Sequence, residues 1–103
     1  MKVLKFDFGT LLIGQNAKEN WNIIDDSEDE DIWFHLDNVP SCHMVAQTIR
    51  NLTDSEIQMI ANMFCEYSKS NSRNVIFSEI KNVKKNKSKI GSVFVENKKL
   101  ITL

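Results

Sequence analysis

Hydrophobic and polar positions alternate along much of this chain, and one stretch near its middle switches to helical spacing. Val3 to Phe8 places Leu4, Phe6 and Phe8 on one side and Lys5 and Asp7 on the other, the period of two of a half-buried strand. Gly9-Thr10 reads as a hairpin turn into a second strand, Leu11-Leu12-Ile13, which Gly14 ends. Asn16 to Asn20 predicts a turn or a short helix leading into Trp21-Asn22-Ile23-Ile24, and Asp25 to Glu30 is acidic enough to predict an exposed loop. Ile32 to Leu36 and His43 to Thr48 alternate again and predict two more strands. After Leu52 the pattern changes. Thr53 and Glu56 have the spacing of a capping box, and Leu52 with Ile57 that of a hydrophobic staple. Ile57, Ile60, Ala61, Phe64 and Ser68 then trace one helical face, flanked by Met59, Met63 and Tyr67, with the methionines read as core filling. Ser70-Asn71-Ser72 ends this helix. Val75-Ile76-Phe77 and Ile80-Lys81-Asn82-Val83 are strand-like, and Gly91 leads into a strand over Ser92 to Glu96. Asn97-Lys98 then turns the chain into Lys99 to Leu103, a closing hairpin.

This order of elements predicts an α+β fold, a single domain over residues 1–103 with a mixed or antiparallel β-sheet. One main helix packs on one face of that sheet through Ile57, Ile60, Ala61 and Phe64. A chain of 103 residues supports one compact core. It carries no internal repeat and no linker long enough to divide it. No apolar run approaches the roughly 20 residues that span a bilayer. The opening residues are broken by charge too often for a secretory signal. Cys42 and Cys65 give no reason to pair, which suits a reducing, cytoplasmic setting.

The formal net charge of −1 conceals an asymmetry. Acids crowd the first half, from Asp25 to Asp31 above all, whereas lysines dominate after Asn51. Charge separated in this way places a basic face on a nearly neutral molecule, and equally describes a solvated loop.

Candidate chemistry gathers between Asp31 and His43. Trp33 and His35 share one face of a strand, a Pro40 turn follows, and His43 opens the next run; these are the only two histidines. The spacing of His35, Cys42 and His43 fits no common zinc arrangement, and adjacent Cys42 and His43 point to opposite sides of a strand. Cys42 as nucleophile with His35 as base lacks a third group and an oxyanion site. The isolated Gly9, Gly14 and Gly91 form no phosphate-cradling loop. No metal, cofactor or catalytic residue is therefore assigned. The binding reading needs fewer assumptions. Trp33, Phe34 and the imidazoles of His35 and His43 offer planar faces for unpaired bases. Lys81, Lys84, Lys85, Lys87 and Lys89, together with Arg73, offer charge for phosphates. Asn16 and Asn20 carry donors and acceptors for base edges or 2′-hydroxyls. The same residues also serve structural ends, with Trp33 in a core, Asn16 and Asn20 as caps, and either histidine bonded to buried backbone.

Several of these stretches together resemble the NFACT-R domain family, over nearly the whole chain. Gly14-Gln15-Asn16 and Asn20 are similar to its Gly-Arg-Asn motif and later Asn, and Asp31-Ile32-Trp33-Phe34-His35 to its Asp-x-Trp-x-His. Pro40-Ser41-Cys42-His43 falls where the family has Pro-Gly-Ser-His. Tyr67 to Ser72 and Val83 to Gly91 match its helix end and basic segment. Gln15, Ser41 and Cys42 depart from the family's Arg, Gly and Ser. The resemblance implies a non-catalytic RNA-binding module with tRNA or ribosomal RNA as partner, working with a ribosome-associated or tRNA-modifying protein and without a membrane. An accessory subunit or enzyme of tRNA modification, and a protein-interaction domain docking through Asp25 to Asp31, are the alternatives.

Overall fold

The computed structural model describes residues 1–103. Its elements in chain order are β1 (Lys2–Phe6), β2 (Gly9–Ile13), α1 (Ala17–Asp25), β3 (Ile32–Leu36), β4 (Met44–Thr48), α2 (Asp54–Tyr67), β5 (Asn74–Glu79), a 3-10 turn (Ile80–Asn82), β6 (Val83–Lys85), β7 (Val93–Val95) and β8 (Lys99–Thr102). Six strands form one sheet in the order β1-β2-β4-β3-β5-β8, every pairing antiparallel, and β6 and β7 form a separate hairpin. This is the α+β architecture that the alternating strands and capped helix predict. No helix is long and apolar enough to cross a membrane.

Each face of the sheet is covered, so the core has two halves. On one face Leu11, Ile13, Phe34, Leu36, Met44, Ala46 and Val75 meet Ile60, Ala61 and Phe64 of α2. Thr53 caps that helix with a full capping box, and Leu52 and Ile57 both pack on the same cluster. On the opposite face Leu12, Val45, Trp33 and Ile76 meet Ile23 and Ile24 of α1, with Trp21, Val93 and Val95 at the margin. The period of two in β3 decides this division: Phe34 and Leu36 turn toward α2, and Trp33 and His35 toward α1.

Several local expectations are corrected. The first hairpin turns at Asp7-Phe8 rather than at Gly9-Thr10, because Gly9 pairs with Phe6 and lies close against the backbone carbonyl of Gln47, where no Cβ fits. Phe8 leaves the strand's alternation and tucks into the α2-side core. The turn or short helix expected over Asn16 to Asn20 is a longer helix, Ala17–Asp25, which Asn16 caps and which buries Ile23 and Ile24. Ile80 to Asn82 makes a 3-10 turn instead of a strand, which swings β6 out of the main sheet. The last strand pairs with β5, not with β7: β6 occupies β7, while Ile101 beside Val75 completes the α2-side core. Asp31 and Met59 exchange the environments expected of them. Asp31 is a buried carboxylate that accepts from the backbone N–H groups of Glu28 (2.8 Å) and Thr48 (3.1 Å), pinning the acidic loop to the sheet, while Met59 faces outward.

Candidate functional site

The α1 side of the sheet leaves one end of β3 and β4 open, and a groove of about 790 Å³ lies there between the first turn of α1, the 37–43 loop and the 89–98 segment. Its floor is built from core residues. Gly14 ends β2 and donates its N–H to the carbonyl of His43 (2.9 Å). A Cβ at Gly14 would lie within 2.9 Å of the Asn20 backbone nitrogen and closer still to Asn20 Oδ1, so only glycine lets α1 approach this near. The approach delivers Asn20 Oδ1 to the backbone N–H of His43 at 3.2 Å. Asn16, meanwhile, spends its side-chain oxygen on the Glu19 N–H (2.9 Å) as the helix cap.

Trp33, His35 and His43 form one aromatic cluster. His35 stacks on Trp33 with ring centroids 5.5 Å apart and planes within 9°, and His43 stands edge-on to both. Trp33 Nε1 donates to His43 Nδ1 at 3.1 Å. Indole nitrogen is a donor only, so the proton of neutral His43 sits on Nε2. His35 Nδ1 donates to the Leu36 carbonyl at 2.6 Å, which leaves His35 Nε2 with a lone pair. Burial holds both imidazoles neutral. It pushes His43 down to about 3, with the neighbouring His35 adding to the effect, and it lowers His35 as well. Neither His43 Nε2 nor Asn20 Nδ2 bonds to a protein group, yet no buried side-chain nitrogen or oxygen lacks a partner, so both atoms reach the groove that their residues line.

Six of the residues singled out from the sequence therefore meet at one place: Asn16, Asn20, Trp33, His35, His43 and, on the rim, Lys89. The others do not. Arg73 lies on the α2 side, where Nη2 donates to Asn62 Oδ1 (3.4 Å). Lys85 pairs with Asp25 and sits 5.4 Å over the Trp21 ring, tying the hairpin to α1. Lys84 faces outward from β6, beside Phe94, and Lys87 is exposed in the loop that follows. The stacking role expected of Trp33 and Phe34 is corrected by their burial, since Trp33 is only 1% exposed and Phe34 is enclosed on the α2 side. His35 is the floor ring that keeps open surface.

Sequence reasoning misses Ile90, Lys98 and Phe94, although Ile90 and Lys98 line the groove and Phe94 is 63% exposed on the outer face of β7. The alternation Val93-Phe94-Val95 carries a signal for Phe94, because inward valines put the ring between them outward. Lys98 carries none, since its place depends on the chain crossing from the hairpin to the main sheet. Trp21 Nε1 donates to the Ser92 carbonyl (3.0 Å), and Gly91 packs where a Cβ would come within 2.7 Å of Ala17, so the lysine loop is seated against α1. Asp37 is the carboxylate on the groove wall. Cys42 turns toward α2, 3.9 Å from Ser68 Oγ, with burial raising its thiol, away from the imidazoles that a nucleophile would need. No three metal-ligating side chains gather anywhere.

A family profile described as the NFACT protein RNA binding domain matches residues 5–97. The chain is 28% identical over 85 residues to coiled-coil domain-containing protein 25 of Danio rerio, an alignment taking in 74% of this chain and 41% of that protein. The solved structure of the C-terminal part of the fibronectin/fibrinogen-binding protein from Streptococcus suis superposes with a TM-score of 0.79 at 25% identity, over 91% of this chain and 40% of that one. The chain thus spans about two fifths of the length of these relatives.

Proposed function

The chain belongs to the NFACT protein RNA-binding domain family, and from that premise we propose that it is a non-catalytic module holding tRNA or ribosomal RNA for a translation-linked or RNA-processing partner in the cytoplasm. The groove carries this reading: a neutral, hydrogen-bonding floor of His35, His43 and Asn20 lies under a rim that includes Lys89 and Lys98. Phosphates favour the lysines, where an ammonium meets an anion without leaving water. Bases favour the floor, where donors and acceptors are already fixed. Lys84 and the exposed Phe94 extend the basic and aromatic surface along the outside of the hairpin. Fluorescence anisotropy with labelled tRNA and with fragments of ribosomal RNA tests the reading. Replacing Lys84, Lys87, Lys89 and Lys98 together with Gln should weaken binding to both. Undiminished affinity would remove the rim from the interface. Crosslinking in cells followed by sequencing of the bound RNA decides between tRNA and ribosomal RNA.

A further inference from the structure

Resting on the RNA-binding reading, we infer that the groove floor selects an unpaired base with an imide edge, a ring N–H beside a carbonyl, and so prefers uracil and guanine to cytosine and adenine. The floor holds no cation, it carries a lone pair at His35 Nε2, and Asp37 stands on its wall, so an anionic phosphate gains little there. A neutral group bearing both a donor and an acceptor fits instead.

The direction of each bond follows from the protein's own partners. Trp33 occupies His43 Nδ1, so His43 offers only Nε2–H to the groove, and Asn20, whose oxygen is spent on the His43 backbone, offers only its amide N–H groups. Both are donors and suit the carbonyl oxygen of the base. The Leu36 carbonyl occupies His35 Nδ1–H, so His35 offers only an acceptor and suits the ring N–H. The two imidazoles stand with centroids 4.9 Å apart and planes at 90°, which brings the ring that carries the donor against the ring that carries the acceptor. Cytosine and adenine present the reverse order, a bare ring nitrogen beside an amino group. Their ring nitrogen would face the His35 lone pair and their amino group the His43 and Asn20 donors, so both contacts become repulsive. A site built this way discriminates by mismatch as much as by attraction.

Ligand chemistry tests this without touching the fold. At about pH 7.5 and one fixed salt concentration, the protein is titrated with single-stranded oligonucleotides of equal length made of uridine, of cytidine, and of 3-methyluridine, which lacks the ring N–H. Uridine should bind about tenfold or more tightly than cytidine, and 3-methyluridine should fall to the cytidine level. His35→Phe keeps a flat ring but removes the acceptor, and should erase the uridine preference, weakening uridine while relieving the repulsion that cytidine meets. Equal binding of uridine and cytidine by the parent protein would overturn the inference and leave the RNA reading standing, as would a uridine preference that survives 3-methylation. Binding of none of the three, nor of tRNA or ribosomal RNA, would overturn both.

Discussion

Protonating His43 would put an N–H where Trp33 Nε1–H already points, so the charged ring must give up that bond as well as enter a buried site. The consequence for stability has a definite sign. Its folded pKa, about 3, lies below the ordinary 6.5. Above 6.5 neither the folded nor the unfolded chain holds the extra proton, and the full stability is present. As pH falls toward 3 the unfolded chain takes up a proton that the folded chain refuses, and about 1.4 kcal/mol is lost per pH unit. His35 acts in the same direction. Urea unfolding of the parent and of His43→Phe at about pH 7.5 and about pH 5 should show the gap between them narrowing in acid. An equal gap at both would mean that the ring is not held neutral. These residues can be chosen from the sequence because His, Trp and Asn crowded into a short stretch are chemically conspicuous. Their division of labour cannot, because alternation in β3 says which residues share a face and not how deeply that face is covered.

At the scale of elements, α2 is the most legible part. Its cap, staple and apolar face all lie within consecutive residues, and Thr53, Glu56, Leu52 and Ile57 do in the fold what their spacing predicts. Phe64→Ala should cost about 3–5 kcal/mol, a large share of what a domain of this size has. A urea midpoint close to the parent's would disprove the assignment of Phe64 to the core. Helix α1 is only half legible, because Trp21 to Ile24 suits a strand or a helix equally until Asn16 and Gly14 fix where the chain turns. Gly14→Ala tests that junction. The added methyl group has no room beside Asn20, so α1 should be displaced and the Asn20–His43 bond broken. A lowered melting temperature together with weakened RNA binding is the expected pair of results. The destination of β8 is not legible at all, since a strand after a turn pairs with its predecessor by default and only the 3-10 turn at Ile80 diverts β6 and β7 elsewhere.

The whole molecule separates its charges by the direction of β3. The acidic residues Glu28 to Glu30 precede Ile32 at one end, where Lys81 pairs with Glu30 and Glu79. The groove lies beyond His35 at the other end, and Lys89 and Lys98 stand there. A near-neutral protein can therefore meet a polyanion end-on. For single-stranded RNA, each phosphate that a lysine no longer neutralises should flatten the slope of log affinity against log salt by about 0.7. The Lys84, Lys87, Lys89 and Lys98 variant should thus show a visibly shallower salt dependence and should converge on the parent at high salt. An unchanged slope would return those lysines to plain solvation. Lys85→Gln is expected to behave differently, because it unties the hairpin from Asp25 and Trp21, and its effect should appear in thermal melting.

The seating of the recognition floor within the α1-side core bears on how such a domain changes over generations. His43 faces the groove through a ring that Trp33, buried in the core, holds in place, so a substitution that alters base preference also threatens the fold. In a saturation library selected for folding alone, with no RNA present, positions 14, 20, 33 and 43 should already be depleted of variants. Rim positions such as 89 and 98 should drift freely, because an exposed lysine holds nothing else in place. Lineages carrying this domain would then diversify by moving charge around the opening, while the choice of base, built into the interior, would be inherited almost unchanged.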